Sequence, residues 1–353
     1  MATDAEIVYF GGYTPEAGGQ GEGIQAARRD PVSGELEPMG VVAATPAPSF
    51  LVRHPRLSVL YAVNELPDGR VSAWAEGDDG GLRPLGEQST GGSEPCHLAV
   101  LAGGEHLASA NYGSGSIAVH PLDGSGRPGE RTDLLVHEPH GGPGRDPQRQ
   151  DGPHAHMVSA DPSGESLLAV DLGMDSIYHY QLDKASARLV PTGPRTHLPA
   201  GTGPRHLARH PDRRRCFVVG ELSAAVFAYE LDQRGALHER GRVPASRREG
   251  RVQPSEVAVH PNGRFLYVAN RGVDTISVFA VDANAPRLLA EVDSGGAWAR
   301  HFALIGQHLY VANERSHTIG VFRLDEADGR PVPTGTCAMP SPTCVLPPRR
   351  DVL

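Results

Sequence analysis

Short apolar runs recur along the chain, each followed by a turn and a second apolar run that ends in a small or amide residue. The layout is plainest in S-F-L-V-R-H-P-R-L-S-V-L-Y-A-V-N (Ser49–Asn64), R-H-L-A-R-H-P-D-R-R-R-C-F-V-V-G (Arg205–Gly220) and S-E-V-A-V-H-P-N-G-R-F-L-Y-V-A-N (Ser255–Asn270). Weaker copies run Cys96–Asn111, His156–Asp171 and, with a turn shortened by two residues, Arg300–Asn313. A seventh copy is divided between the ends of the chain: I-V-Y-F-G-G (Ile7–Gly12) matches its second strand and S-P-T-C-V-L-P (Ser341–Pro347) its first. Seven copies in 353 residues give a period of about 50, the length of a propeller blade. Each copy continues with an alternating strand such as Thr275–Asp282 and a G-x-L-x-P-x-G element such as Gly34–Gly40, which makes four strands.

The pattern predicts an all-β, seven-bladed β-propeller of four antiparallel strands per blade, spanning 1–353 as a single domain. The N- and C-terminal strands share one blade, so the ring closes without an open strand edge. The interval from Asn111 to Asp171 is longer than the others. Its extra residues, E-P-H-G-G-P-G-R-D-P-Q-R-Q-D-G-P-H (Glu138–His154), carry no apolar period and read as a long loop able to cover part of a site.

Composition agrees with many short strands joined by turns: 43 Gly and 31 Pro punctuate the apolar runs, and aromatics make up only 5%. A net charge of −9 argues against nucleic acid or an anionic membrane as partner, since both require a basic field. An anionic ligand would have to be met by locally gathered cations. The N-terminus lacks a basic leader and no apolar run is long enough to span a bilayer, so the expected location is the cytoplasm. The four cysteines, Cys96, Cys216, Cys337 and Cys344, show no paired spacing and read as reduced thiols, not as a zinc site. The expected assembly is a monomer or a weak homo-oligomer.

In a four-stranded antiparallel blade the start of strand one lies beside the end of strand two, so residues at these two repeat positions collect on one face. Strand-one starts carry Cys96-His97, His156, Arg205-His206, Ser255-Glu256 and Arg300-His301. Strand-two ends carry Asn64-Glu65, Asn111-Tyr112, Asp171, Gly220-Glu221, Asn270-Arg271 and Asn313-Glu314. The recurring Asn and Asp residues read as caps for backbone groups, and the His-Pro histidines His54, His210 and His260, at the other end of strand one, as turn residues. Arg205, Glu221, Glu256, Arg271 and Arg300 serve no repeated backbone role and are the functional candidates. H-A-H at His154–His156 suits proton transfer or anion binding better than metal binding, because no further ligand stands at a fixed spacing.

These same residues lie in blocks that resemble the lactonase family of seven-bladed propellers. The blocks are F-G-G-Y-T, P-H-A-H-M-V-S-A-D-P-S-G, A-V-D-L-G-M-D, G-T-G-P-R-H-L-A-R-H-P, V-V-G-E-L, S-E-V-A-V-H-P-N-G-R-F-L-Y-V-A-N-R-G and W-A-R-H-F-A-L. That family includes the bacterial propeller-type 6-phosphogluconolactonase and the fungal carboxymuconate lactonizing enzyme. The resemblance implies a site built from His154 or His156, Arg205, Glu221 and Arg271; by their repeat position on the same face, His206, Glu256, Arg300 and His301 are expected as substrate-binding neighbours. The chain departs from the expected blocks at W-A-R-H (Trp298–His301) and N-R-G-V-D (Asn270–Asp274), which bears on the substrate more than on the fold.

The implied reaction is hydrolysis of a small anionic or sugar lactone with no metal or organic cofactor. Glu221 or His156 would activate water, with Glu256 or His206 next in line, while Arg205 and Arg271 hold the anion. The absence of a G-x-S-x-G elbow disfavours a serine acyl-enzyme. The same residues could run lactonization of an unsaturated dicarboxylate, and a non-catalytic propeller could use this face for binding alone.

Overall fold

The computed structural model describes residues 6–139, 144–161, 163–233, 235–281 and 285–349. Seven antiparallel sheets account for nearly all regular structure, the architecture of a seven-bladed β-propeller. Blade 1 is ordered Pro342–Leu346, Glu6–Gly12, Gly23–Arg29, Leu36–Ala44, so the C-terminal strand lies beside the N-terminal one as the divided repeat predicts. Tyr9 pairs with Leu346, Phe10 with Val345 and Gly11 with Cys344. Blades 2 to 7 begin with Phe50–Arg53, Pro95–Leu101, Ala155–Ala160, Pro204–Arg209, Val252–Val259 and Ala299–Ile305.

Blade 4 departs from four strands. Its outer strand is broken into Arg188–Pro191 and Thr196–His197, both paired to Ser176–Asp183. The interruption is P-T-G-P, and proline has no N–H for the ladder. In blade 6 the strand expected over Thr275–Asp282 ends at Ala280; Asp282 lies outside the described residues. Residues 140–143 of the long loop also lie outside them. Its described part, from Gly144, folds onto its own unit: Gln150 Nε2 donates to Leu172 O at 3.1 Å and Arg149 Nε to the Tyr112 hydroxyl at 2.8 Å. No helix among the described residues is long and apolar enough to cross a membrane.

The chain divides into two compact units, one of Met1–Gly12, Gly19–Val41 and Arg205–Leu353, the other of Tyr13–Gly18 and Val42–Pro204. Within each, apolar side chains of neighbouring blades interlock. In the first unit Phe217, Val219, Leu266 and Phe279 join blades 5 and 6; Tyr267, Val278, Val311 and Phe322 join 6 and 7; and Tyr310, Ile319, Phe10 and Val345 join 7 and 1.

The recurring Y-V-A-N has a polar explanation as well. Tyr267 donates its hydroxyl hydrogen to Gly329 O at 2.7 Å, and Tyr310 to Gly34 O at 2.8 Å, each reaching the outer turn of the next blade. In the second unit Tyr61 does the same to Gly126 O. The His-Pro histidines act at the opposite strand end. His210 Nδ1 accepts the Asp212 N–H while Nε2 donates to Gly263 O, and His54 makes the corresponding bonds to its own turn and to Gly104 O. These residues are structural, and so are the amides: Asn270 Nδ2 donates to Thr275, Ser277 and Ala245, and Asn313 Nδ2 to Ser294 O.

Truncation before Pro342 removes buried Val345 and Leu346 and leaves the Glu6–Gly12 edge unpaired. The expected result is loss of a cooperative thermal transition in circular dichroism. A truncated chain that melts like the full-length protein would show that the C-terminal strand is dispensable.

Candidate functional site

The start of strand one is shaped by a local backbone device. In five blades the residue two positions before it is left-handed: Ala47, Glu94, Gly203, Trp298 and Ser341, with φ between 42° and 67°. Strand one slips in register against strand two in blades 1, 3, 4, 6 and 7, leaving Thr343, Cys96, His156, Ser255-Glu256 and Arg300 at the slip; blades 1, 3 and 7 carry both features. Such a bulge unpairs a residue and re-aims its side chain, which is how repeats depart from a uniform ladder beside functional sites.

In the first unit this position and the ends of strand two assemble a charged cluster. Glu221, just past the end of Arg215–Gly220, is fully buried. Arg205 Nη1 lies 2.8 Å and Arg271 Nη2 2.7 Å from the same Glu221 oxygen, Oε2. Arg205 Nε also donates to Ser255 O at 3.0 Å, which ties the clamp to blade 6. Burial lowers Arg271 to about 9, opposed by Glu221 and reinforced by the like charges of Arg205 and Arg300. The guanidinium therefore stays charged at neutral pH. Gly272 follows in the left-handed region at φ 89°, and a Cβ there would sit 2.2 Å from Arg251 O, so N-R-G needs its glycine.

Beside the clamp stands a second group. Glu256 Oε2 lies 2.8 Å from His206 Nδ1 and 3.3 Å from His301 Nε2, and Oε1 accepts the Val257 N–H. The Val345 N–H donates to His301 Nδ1 at 3.2 Å. The neutral ring must then carry its proton on Nε2 and donate it to Glu256. Burial, with Glu256 pulling the other way, brings His301 down to about 4, and burial together with the guanidinium groups of Arg205, Arg300 and Arg271 holds His206 well below the usual imidazole value. Burial raises Glu256 above the ordinary 4.5, against the pull of His301, the Val257 N–H and Arg205. The result is one carboxylate oriented by two neutral imidazoles. Glu256 keeps 10% and His301 12% of the side chain exposed, whereas the Glu221 side chain has none, so only the former pair borders solvent. Arg300 and Glu314, 3.4 Å apart, are half-buried in the same cluster.

Three arginines also meet the Trp298 indole: Arg315 at 3.5 Å from the ring centre, and Arg251 and Arg271 each at 5.4 Å. Trp298 is held left-handed by an N–H to Asp274 Oδ1 at 2.8 Å, which gives the Asp of N-R-G-V-D its purpose.

His154 and His156 belong to the second unit. His154 Nδ1 lies 3.0 Å from Tyr112 O and Nε2 2.8 Å from Asp151 Oδ1, and the ring stacks on Tyr112. Buried His156 meets the Tyr112 edge and places Nδ1 3.8 Å from Cys96 Sγ. Asp171 accepts the N–H groups of His154 and Met174 and binds buried His137 at 2.6 Å, a capping role. The tight L-G-M-D turn brings Gly173 so near Gly152 O that a Cβ would lie 1.9 Å from it.

Within the first unit the structure brings Arg205, His206, Glu221, Glu256, Arg271, Arg300 and His301 into one cluster; within the second, His154 and His156 pack against Tyr112. All four cysteines are free thiols, and among the described residues no three His, Cys, Asp or Glu side chains are arranged to hold a metal. Sequence reasoning missed Arg251, Arg315 and Arg149, which stand outside the repeat positions. The signal available was Trp298, one of only two tryptophans in the chain.

Comparison with known proteins places this arrangement in context. A Bacillus subtilis 6-phosphogluconolactonase is 31% identical over 304 residues, 84% of this chain and 84% of that protein. A Pseudomonas aeruginosa periplasmic gluconolactonase superposes with a TM-score of 0.90 at 28% identity, covering 97% of this chain and 98% of the other. A Lactobacillus plantarum protein gives 0.88 at 29% identity, with 97% and 98% covered. Residues 7–347 match the family described as Lactonase, 7-bladed beta-propeller, and the chain belongs to that family.

Proposed function

We propose that this chain hydrolyses a small anionic or sugar lactone, the class of substrate for which the Bacillus and Pseudomonas relatives are named. The observation that carries the reading is the Glu256 carboxylate, buried but with 10% of its side chain reaching solvent, raised in pKa and fixed by two imidazoles, next to a pair of arginines clamped by Glu221. Glu256 takes a proton from water as the oxygen attacks the lactone carbonyl. Arg205 and Arg271 hold the negative charge that develops on the carbonyl oxygen or the substrate's own anionic group. Collapse of the tetrahedral intermediate breaks the ring C–O bond, and the proton on Glu256 passes to the departing alkoxide, leaving a hydroxy acid. Glu221 is the anchor in this reading. It is sealed from solvent, and its task is to keep two like charges side by side.

Glu256→Gln is expected to lower kcat by roughly 10²–10⁴ with little change in KM, because a proton acceptor acts mainly in the transition state. The active form is the carboxylate, so kcat/KM of the unaltered protein should rise with pH through a pKa above 4.5, and the variant should lose that limb. Steady-state kinetics on purified protein across pH check both; a variant with normal kcat would remove Glu256 from the role.

Glu221→Gln removes the carboxylate that the buried Arg205 and Arg271 share. The expected cost is about 3–5 kcal/mol in urea unfolding, together with a raised KM. Arg205→Ala or Arg271→Ala should mainly raise KM, more for an anionic lactone than for a neutral one. Equal effects on both substrates would mean that the clamp does not meet the anion.

A further inference from the structure

Arg251 and Arg315 are exposed, and neither pairs with a carboxylate among the described residues, although the chain carries a net charge of −9. Both rest on the Trp298 indole, which Arg271 also approaches. Stacking on an aromatic face fixes a guanidinium plane while leaving its N–H fork directed outward. The platform itself is held rigidly. Trp298 occupies a left-handed conformation costly for a bulky side chain, secured by Asp274, and the Arg251 carbonyl packs against Gly272 without room for a Cβ.

We propose that Arg251 and Arg315, seated on Trp298, form a receiving site for a phosphate monoester on the substrate, at the end remote from the reacting carbonyl. This rests on the hydrolase reading above, with Arg271 shared between the clamp and the indole. Two uncompensated guanidinium groups match a group bearing about two negative charges near neutral pH, as a phosphate monoester does and a single carboxylate does not. The pair would therefore decide between phosphorylated and unphosphorylated sugar lactones.

Trp298 supplies a readout independent of turnover, since Trp74 is the other tryptophan. In a Trp74→Phe background, 6-phosphogluconate is expected to change Trp298 fluorescence saturably, inorganic phosphate to compete, and gluconate to have little effect. Arg251→Ala with Arg315→Ala should abolish the change and raise KM about tenfold or more for a phosphorylated lactone, leaving an unphosphorylated one nearly unaffected. Calorimetric titration of the unaltered protein with the same compounds serves if Trp74→Phe misfolds. Phosphate-dependent binding without turnover of any lactone would support the site while removing the hydrolase reading. Turnover with equal binding of gluconate and 6-phosphogluconate, or binding that survives loss of both arginines, would overturn the site alone.

Discussion

A single carboxylate oxygen, Glu221 Oε2, sits within 2.8 Å of two guanidinium groups, and the cluster around it depends on that contact. Arg205 and Arg271 are each about 95% buried in their side chains, and without a shared counter-charge their repulsion and desolvation would favour turning both outward. Held together, they lend their field to everything nearby. Burial is the main reason that His206 stays neutral and Glu256 is raised, and the arginine field adds to the first and opposes the second.

The arrangement arises from a conflict between repeat and function that the backbone resolves. A strict ladder would assign each strand-one start the same duty in every blade. In blades 1, 3 and 7 a left-handed residue is followed by a register slip that releases Thr343, Cys96 and Arg300 from the ladder, and in blade 4 a slip alone releases His156, without disturbing the pairing beyond it. Tyr267, Tyr310 and the His-Pro turns meanwhile carry the blade-to-blade bonds at other positions. Stability and chemistry occupy different residues of the same repeat.

That separation explains which features the sequence made legible. Blade number, the shared terminal blade and the face of the site follow from periodic positions, because period-2 strands and recurring turns fix where each residue falls. The membership of the charged cluster was legible for the same reason: Arg205, Glu221, Glu256, Arg271, Arg300 and His301 break the repeat at positions it defines. Pairings inside the cluster were not. Nothing in the spacing of Glu256 and His301 says that Val345, from the far end of the chain, fixes the His301 tautomer. Arg251 and Arg315 were invisible because they flank the strands, where no periodic expectation exists for a residue to violate. The broken outer strand of blade 4 was written in P-T-G-P but competed with a four-strand pattern true of every other blade.

The two relatives named for lactones differ in whether the name carries a phosphate, although both share the fold with this chain. Fold alone therefore does not select the substrate. A charge of −9 makes the point sharper, because a diffuse field of that sign repels anions, and only cations fixed at short range can reverse it. Buried arginines oriented by Glu221 can do so for a group that enters the cluster. On the proposed reading, Arg315 and Arg251 over Trp298 would extend the same reversal outward, to the part of the substrate that does not react. Under the same reading, binding energy gathered there would hold the reacting carbonyl against Glu256 without tightening the clamp itself.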